Sequence, residues 1–509
     1  MFIRRKPNKS GTFSIEVISK RGGKNLVVRR FGSSRDEAEL RSFERKAQQW
    51  IDDQRGPRLP FSWEKDDVIS DFMSTLSNSQ VRVYGPELVY GSLYDRIGYN
   101  AIEDEMFRHL VVCRLFTPGS KLKTMDYLWR YLHVSVSRHK VYSFIDRLSP
   151  SEGSGIKHKV EQISYAQTLR VLRGRVGVVF YDMTTLYFEA SDEDDLRMCG
   201  FSKDGRHRNP QIFLGLLVAI GGNPIGYEIF EGNIHEGKTL IPMVESLAGR
   251  FGFDHPVVIA DAGLLSRSNI DALEEAGYRY ILGARPKNDS ADVKDRILSM
   301  KLKDGQARLF RRKDGRRVVV SMSDARAGND AKNRKDGRRR LEKRLGAGRL
   351  TKSNVNNRGY NKYLRMEGEV RISIDYDKFN SDAAWDGIKA YITNSELPPK
   401  KIVGNYHNLW FIGRAFRMDK TDLRIRPIYH RLRNRIEGHT CICFTAYTIM
   451  LELERRLKAA NAPFSLNKAR ELTKNIYSIT YTLTETKEER TTVLQMSEEQ
   501  KLLVEIVHK

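Results

Sequence analysis

Short apolar runs alternate with helix-like segments through the middle of this 509-residue chain. Two of the runs, 177–182 and 256–261, are almost purely apolar and each ends in an aspartate. Other strand-like runs are found at 211–220, 225–230 and 278–283, and the pattern of 268–276 predicts a helix. Because alternating strands and helices are typical of a sheet covered by helices, this region is predicted to be an α/β layer.

The regions on either side of this layer have different patterns. In residues 1–55, alternating apolar and polar positions surround Arg21-Gly-Gly-Lys24, and this predicts a small β-hairpin followed by a helix that starts at Ser34. This unit is either a DNA-binding module or a structural one. The division predicted for the remaining chain is 56–172, mainly helical after a linker at 56–80; 173–284, the first part of the α/β core; 285–400, a basic, β-rich insertion; and 401–509, helical, with helices at 403–421, 429–459 and 465–473.

The composition indicates a polyanionic partner. The net charge is +24 and the isoelectric point is about 9.7, which favours binding to nucleic acid, although solubility alone is the alternative explanation. No apolar run is long enough to cross a membrane, and the basic start of the chain lacks the apolar core of an export signal. The four cysteines have no paired metal spacing and are interpreted as reduced thiols, so a cytoplasmic location is expected.

Asp182 and Asp261 are the strongest candidates for chemistry. Carboxylates at the ends of neighbouring buried strands meet at one edge of a sheet, where open α/β folds place ligands. Their mutual repulsion is relieved by a hard cation such as Mg²⁺, and a pair of such ions about 4 Å apart can hold both oxygens of a phosphodiester exchange. The alternative is that each aspartate only caps the element that follows it.

A second candidate region is the segment 406–420. Tyr406, Gly413 and Lys420 are seven residues apart, so on one helix they would lie along a single stripe. Aromatic and basic residues surround the central position, where a metal enzyme would place a carboxylate. That position is a glycine.

With these motifs together, the chain resembles the DDE transposases of bacterial insertion sequences, in the superfamily typified by insertion sequence four. The resemblance covers about 84–457, and the motifs that carry it are Tyr181-Asp-Met-Thr-Thr, Ser202-Lys-Asp-Gly-Arg, Gly232-Asn-Ile-His-Glu, Ala260-Asp-Ala-Gly, Tyr391-Ile-Thr-Asn and the segment 406–439. It implies an RNase-H-like catalytic core with a mostly β insertion. It also implies that Asp182 and Asp261 are metal-binding catalytic residues that use Mg²⁺ or Mn²⁺.

The resemblance breaks at the third acid. The family signature is Tyr-x2-Arg-x3-Glu-x6-Lys; Tyr406 and Lys420 match its ends, but Leu409 replaces the arginine and Gly413 replaces the glutamate. Asp419 is expected on another face, and Glu437 belongs to a separate motif, so neither is expected to substitute. Tyr406, Lys420, Arg417 and Arg424 are candidates to contact DNA phosphates, the first three because they fit the family and Arg424 because it is a basic residue near the presumed site. The alternative for the basic residues is a solvent-exposed helical face. His207, His235 and His439 are candidates to touch substrate, without support for a histidine metal site.

The function expected from the sequence is therefore a DNA transposase. It would act as a homodimer on terminal inverted repeats and target DNA, by metal-dependent phosphodiester hydrolysis followed by strand transfer, in the bacterial cytoplasm and on the nucleoid when bound. Gly413 is expected to impair it. Two alternatives stay open: an inactive, sequence-specific DNA-binding protein derived from a transposase, and an RNase-H-like nuclease without strand transfer.

Overall fold

The computed structural model describes the chain except residues 55–61, 149–154, 201, 203–204, 206–207, 253–254, 357–358, 368–370 and 484–485. Part of the predicted linker, three residues of the motif that begins at Ser202 (Lys203, Asp204 and Arg206) and the candidate His207 therefore lie outside the described residues. The chain divides into two compact units. The first is Met1–Gln80 with Tyr481–Arg490, and the second is Val81–Thr480 with Thr491–Lys509.

The first unit contains the predicted hairpin and helix, together with an additional strand. Its elements are β1 (Phe2–Pro7), β2 (Phe13–Arg21), β3 (Lys24–Ser34), α1 (Glu37–Asp53) and α2 (Ser62–Thr75). The hairpin turn closes on Gly22 and Gly23, both with positive φ, as a two-residue turn between twisted strands requires. The helix α1 begins later than predicted, because the Asp36 side chain, and not Ser34, accepts the hydrogen bond that caps it.

The second unit has helices on both sides of a large mixed sheet. Its helices are α3 (Ser92–Ile97), α4 (Glu105–Phe116), α5 (Lys121–Leu132), α6 (Arg138–Arg147), α7 (Ile156–Val171), α8 (Leu240–Phe251), α9 (Arg267–Glu275), α10 (Ala291–Ser299), α11 (Asp324–Gly346), α12 (Tyr376–Ser381), α13 (Pro399–His407), α14 (Trp410–Arg417), α15 (Arg433–Ala459), α16 (Leu466–Lys474) and α17 (Glu498–His508). Its strands are β4 (Val81–Val83), β5 (Val178–Tyr187), β6 (Gln211–Ala219), β7 (Pro224–Glu231), β8 (Val257–Ala260), β9 (Tyr280–Ala284), β10 (Ala307–Arg311), β11 (Arg317–Met322), β12 (Leu364–Glu367), β13 (Arg371–Ile374) and β14 (Ile388–Thr393), with β15 (Tyr477–Thr482) and β16 (Glu489–Val493) extending into the first unit's segment.

The large sheet has the strand order β10-β11-β14-β9-β8-β5-β6-β7. Strands β5, β6 and β7 form an antiparallel meander, β8 and β9 run parallel to β5, and β14, β11 and β10 continue antiparallel from β9. The predicted insertion 285–400 is therefore built partly into this sheet, because three of its five strands extend the core. Its very basic segment is the helix α11.

Side chains alternate between two hydrophobic layers along the central strands. On one face Phe180 and Ile259 pack in the layer formed by α13, α14 and α15. On the other face Tyr181 and Ala260 pack in the layer formed by α8, α9 and α10. Helices α4, α6 and α7 share the first layer with α15, which is buried along most of its length, so the helical region and the sheet have a common core.

Two further sequence expectations need correction. The strand β5 does not end at Asp182 but continues to Tyr187, because the β-branched and apolar residues that follow, such as Thr184 and Thr185, keep pairing with β6. The C-terminal region is not wholly helical, since it contains β15 and β16. In the described part of the chain, no helix combines the length and apolar character that crossing a membrane requires.

Candidate active site

Asp182 and Asp261 lie side by side at the centre of the sheet. The parallel register of β5 and β8 pairs Phe180 with Ile259 and Tyr181 with Ala260, so the next position on each chain is an aspartate. Neighbouring strands are about 4.8 Å apart, and residues in the same register point to the same face. Both carboxylates therefore lie on the face that α13, α14 and α15 cover. The strand β8 ends at Ala260, so Asp261 is exposed where the sheet opens.

Hydrogen bonds orient both carboxylates. The backbone N–H of Met183 donates to Asp182 Oδ1 at 2.7 Å, and the hydroxyl of Tyr406 donates to Asp261 Oδ1 at 2.8 Å. Tyr406 is buried, and burial together with the Asp261 charge raises the pKa of its phenol. The phenol therefore remains protonated and acts as a donor, which leaves the other oxygen of Asp261 available for a ligand.

A glycine on β9 makes this contact possible. A Cβ at Gly283 would overlap the Tyr406 hydroxyl and would lie 2.9 Å from the Ala262 backbone nitrogen. The Tyr406 ring also packs against Tyr391 on β14, with 4.7 Å between ring centroids. Tyr391 begins the sequence motif Tyr391-Ile-Thr-Asn394, whose last residue ties β14 to β9 by accepting from the Tyr280 backbone N–H at 2.9 Å. The motif thus supports the residue that holds Asp261.

A cavity of about 400 Å³ opens next to Asp261 and is lined by four cationic residues that the sequence analysis missed, Arg285, Lys287, Arg326 and Lys389. Lys389 lies with its Nζ 5.0 Å from the Tyr406 ring centroid, and Arg326 lines the same cavity. Burial and then Arg326 lower the pKa of Lys389, while the Asp261 charge opposes this shift. The sequence offered one indication for Lys389, because it is the only charged residue of the apolar strand β14. It offered no such indication for Arg326, which lies among the many basic residues of α11.

A further carboxylate reaches this edge from the loop after β7. Glu236 lies so close to the turn after Asp261 that a Cβ at Gly263 would be 2.8 Å from its Oε2. The Glu236 charge also contributes to the raised pKa of Tyr181, after burial and Asp182. Glu236 does not provide a third metal ligand beside Asp182 and Asp261. Within the described residues, no three His, Cys, Asp or Glu side chains form a group that could hold a metal ion.

The predicted helix 403–421 is broken into three parts, so the proposed single stripe is wrong. The helix α13 ends at His407, a turn at Asn408 and Leu409 follows, α14 begins at Trp410, and Met418–Asp422 is a π-helical turn. The break allows two contacts to form at the same time. Tyr406 donates a hydrogen bond to Asp261, and Phe411 packs edge-on against Phe180 of β5, with 6.2 Å between ring centroids. The helix α14 therefore covers the face of β5 that carries Asp182.

Gly413 lies on the exposed side of α14, and a Cβ built there would have no heavy atom within 4 Å. The glycine is therefore not required by packing, and a longer side chain has room. Asp419 does not replace a missing acid, because it is buried among α15 residues and burial raises its pKa well above the usual range. Glu437 lines a separate cavity, where it accepts a hydrogen bond from Arg433 at 3.3 Å.

The other predicted contact residues are not brought to one place. Arg417 lines a cavity of about 690 Å³ between α14, α15 and α16. Lys420 lies in the π-helical turn beside Asp419, and Arg424 lines another cavity, at the start of α5.

The candidate histidines lie apart from the two aspartates. His235 accepts a hydrogen bond from the Gly237 N–H at 3.1 Å and so caps its own loop. His439 is buried and lines the same cavity as Arg424.

Comparison with known proteins relates the chain to transposases. The family model described as "Transposase DDE domain" matches residues 179–449, just over half of the chain, and this span includes Asp182, Asp261, Tyr406 and Gly413. Among solved structures, the cryo-EM structure of a piggyBac transposase synaptic complex with hairpin DNA is similar with a TM-score of 0.40 and 9% identity, over 76% of each chain. A Mos1 transposase paired-end complex with its left transposon end is similar with a TM-score of 0.16 and 10% identity, over 46% of this chain and 70% of that one. No curated protein matches the sequence.

Proposed function

This chain belongs to the transposase DDE domain family, and from that premise we propose that it is a DNA transposase of a bacterial insertion sequence, impaired by Gly413. The observation that carries the proposal is the register of β5 and β8, which sets Asp182 and Asp261 next to each other on one face of the sheet. Tyr406 supports the proposal further, because it is the first residue of the family signature that contains the third acid, and its hydroxyl donates a hydrogen bond to Asp261.

We further propose that the large sheet is an RNase-H-like core. Three features support this interpretation: the antiparallel meander β5-β6-β7, the parallel strands β8 and β9 that follow β5 in the sheet, and the position of the two aspartates on β5 and directly after its neighbour β8. The strands β10, β11 and β14 would then be the part of the insertion that widens the sheet.

The chemistry of the two aspartates fits one divalent cation. Both offer carboxylate oxygens, the ligands that Mg²⁺ and Mn²⁺ prefer, and Mg²⁺ is commonly held by one or two carboxylates with water completing its shell. Asp182 and Asp261 would hold the ion. When bound, it would supply charge stabilisation to a phosphodiester undergoing hydrolysis or strand transfer. A second ion has a weaker basis here, because the third carboxylate is absent.

The chain's own residues have separate tasks in this proposal. Tyr406 fixes the orientation of the Asp261 carboxylate by donating to Oδ1. Lys389 and Arg326, which line the cavity beside Asp261, would hold a DNA phosphate through charge. Gly413 leaves open the space where a third carboxylate would project from α14. Because phosphoryl transfer depends on exact positioning of few groups, the loss of one ligand is expected to reduce the rate strongly.

The test is Mg²⁺-dependent cleavage of DNA that carries the flanking inverted repeats. The chain itself should cleave slowly, and Gly413→Glu should increase the rate, whereas Gly413→Gln, which adds the same volume without a carboxylate charge, should not. Asp182→Ala added to Gly413→Glu should abolish the gain. Robust cleavage by the unmodified chain that Asp182→Ala removes would show that Gly413 does not impair the enzyme.

Gly413 itself favours a second candidate, a DNA-binding protein that has lost catalysis. This version predicts specific binding to the repeats with no cleavage in Mg²⁺ or Mn²⁺, and no gain from Gly413→Glu. The third possibility is an RNase-H-like nuclease without strand transfer. A strand-transfer assay with pre-cut ends tests it, because such a nuclease would cleave DNA but would not join these ends to target DNA.

The proposal includes a homodimer on a pair of ends, in the cytoplasm and on the nucleoid when DNA-bound. Sedimentation of the chain with a repeat-containing duplex checks the dimer: the protein mass should be twice the 58.7 kDa of one chain. A complex containing a single chain at saturating protein would refute it.

A further inference from the structure

A cavity of about 400 Å³ lies where α4 ends, α5 begins and residues 424–430 lead toward α15. Four of the side chains that line it are cationic, Arg114, Lys121, Arg424 and Arg426, and none of its lining residues, all within the described part of the chain, is acidic. It is distinct from the cavity beside Asp261, which shares no residue with it. A concentration of positive charge without acids requires an explanation, because like charges repel when solvent is excluded.

Lys121 is the least expected of these cations, because it is only 4% exposed. Burial, followed by the neighbouring Arg114 charge, lowers the pKa of Lys121 to about 7. No carboxylate in the described residues pairs with its ammonium; the groups that interact with its charge are Arg114, His430, His439 and the buried thiols of Cys113 and Cys443. A buried charge without a partner destabilises a fold, so its presence indicates a ligand that supplies the missing negative charge.

The start of α5 faces the same cavity. Ser120 caps this 12-residue helix, its hydroxyl accepting from the Lys123 N–H at 3.2 Å, and Ser120 and Lys121 both line the cavity. The first N–H groups of a helix have no partner within it, and the helix dipole is positive there, so the position favours an anion. The buried ammonium and the helix start therefore point to the same kind of ligand.

The opposite wall is held in a constrained conformation. Arg424 has a φ of +49°, while its neighbours Leu423 and Ile425 are both buried. The Arg114 guanidinium donates to the Leu423 carbonyl at 3.3 Å, and His439 Nε2 donates to the Ile425 carbonyl at 3.0 Å. Left-handed conformations are uncommon for residues other than glycine and tend to occur at functional positions. Here the conformation lets two apolar neighbours enter the core while Arg424 stays at the cavity.

We propose that this cavity is a phosphate-binding site, and that in the DNA complex it is occupied by a backbone phosphate. The phosphate site stands on the cavity itself; the identification of the strand as transposon DNA rests on the proposed function. Its position suits such a contact, because Ile428 N–H donates to the Tyr187 carbonyl at 3.3 Å and Tyr187 lies five residues beyond Asp182 on β5. That separation is about 17 Å, or about five nucleotides of stacked strand.

The site should respond to pH through one group. Around neutrality Lys121 changes its charge, whereas the other titratable groups facing it do not: burial lowers the pKa of His430 to about 3 and that of His439 well below its usual value, and burial raises the pKa values of Cys113 and Cys443. The arginines stay charged. Phosphate binding requires the ammonium form, so affinity should fall as the pH rises through about 7, and bound phosphate should raise the Lys121 pKa.

The experiment compares Lys121→Met with Lys123→Met in the full chain. Both remove one positive charge at the start of α5, but Lys123 is exposed. The probes are inorganic phosphate, measured by calorimetry, and a repeat-containing duplex, measured by fluorescence anisotropy at about pH 6 and about pH 8. We expect Lys121→Met to weaken duplex binding about tenfold at the lower pH, to lower the salt slope by about one and to remove the pH dependence, while Lys123→Met stays close to the unmodified chain.

The outcomes separate the site from the proposed function. Lys121→Met should melt at the same or a higher temperature than the unmodified chain, since it removes an unpaired buried charge, so weaker binding cannot be ascribed to unfolding. Unchanged phosphate and duplex affinity in Lys121→Met, or equal losses in both variants, would overturn the site. Loss of phosphate binding with unchanged duplex affinity would overturn its occupation by DNA. If Lys121→Met loses both while no repeat is cleaved even by Gly413→Glu, the phosphate site holds and the transposase proposal fails.

Discussion

At the scale of single residues, Gly413 contrasts with a second helical glycine. Gly438 in α15 is required by packing, because a Cβ there would lie 2.6 Å from the Ile145 carbonyl oxygen of α6. Gly413 in α14 has open space where its Cβ would be. Glycine costs a helix about 1 kcal/mol relative to alanine, and at position 413 the described structure offers nothing in return. If position 413 has lost a carboxylate, as the proposed function holds, the glycine gained no contact in exchange.

The two glycines should therefore respond in opposite directions to alanine. Gly413→Ala should stabilise the chain by about 1 kcal/mol, since α14 gains helix propensity without a clash. Gly438→Ala should destabilise it by about 1–3 kcal/mol, since α6 and α15 must separate. Urea unfolding followed by circular dichroism measures both shifts. A destabilised Gly413→Ala would mean that the glycine has a structural role after all.

Tyr406 gives the second prediction at this scale. In the Gly413→Glu background, Tyr406→Phe should lower the cleavage rate about tenfold, because Asp261 loses a donor worth about 1.5 kcal/mol. The matched control is Tyr391→Phe. Its ring contacts Tyr406, but its hydroxyl lies 3.4 Å from Ser321 and touches no aspartate. Equal losses in the two variants would indicate disturbed packing and not the orientation of Asp261.

At the scale of elements, the π-helical turn Met418–Asp422 buries a carboxylate directly after α14. Asp419 is 5% exposed, and its Oδ1 has no hydrogen-bond partner among the described residues. Burial raises the pKa of Asp419, opposed only by the Lys420 charge. π-helical turns often occur at functional sites, and this one changes the direction of the chain between α14 and the Arg424 wall of the phosphate cavity.

The sign of this pKa shift sets the prediction for Asp419→Asn. A carboxyl group whose pKa is higher in the folded than in the unfolded state stabilises the fold most below its unfolded pKa, near 4, and this contribution is lost as the pH rises toward the folded value. Asp419→Asn should remove that slope and raise the urea midpoint at neutral pH. Asp422→Asn, in the same turn but partly exposed, is the control. A pH profile unchanged in Asp419→Asn would contradict the burial argument.

The sequence pattern predicted those strands whose position depends on their own apolar residues. The apolar runs that end in Asp182 and Asp261 were enough to predict two adjacent buried strands with an acid on each, and β8 ends where expected. The extension of β5 to Tyr187 was missed because pairing with β6 sustains it. The broken helix around Asn408 was missed for a similar reason, since two tertiary contacts, one to Asp261 and one to Phe180, determine the break.

The candidate site was predictable only in part, because its remaining members meet through distant pairings. Lys389 reaches Asp261 because β14 pairs with β9, and nothing local to either strand encodes that pairing. Lys121 and Arg424 are about three hundred residues apart and meet in a cavity that neither segment predicts. The sequence made Arg424 a candidate DNA contact only because it is a basic residue near the presumed site, and the structure supplies its surroundings.

At the scale of the whole molecule, the net charge of +24 is unevenly placed. The helix α11 buries Leu341 against Tyr363 and Phe379 and carries exposed cations on its other side. Lys335, Arg339 and Lys343 are exposed and four residues apart, so they form one row along the helix surface. The row spans about 12 Å of helix, the length over which one strand of a duplex carries about three or four phosphates, so it can add sequence-independent affinity.

Replacing these three residues by glutamine should weaken duplex binding and make it less dependent on salt. Each lost phosphate contact lowers the slope of log affinity against log salt by about one, so the triple variant should lose between about one and three units for any DNA sequence. The control removes the same charge from Lys301, Lys303 and Lys313, exposed positions off this helix. If both triple variants lose affinity equally, net charge alone governs binding. If only the α11 variant loses it, the helix is a DNA-contacting surface, and the repeat-specific part of the affinity, measured against a scrambled duplex, should stay unchanged because phosphate contacts carry no sequence information.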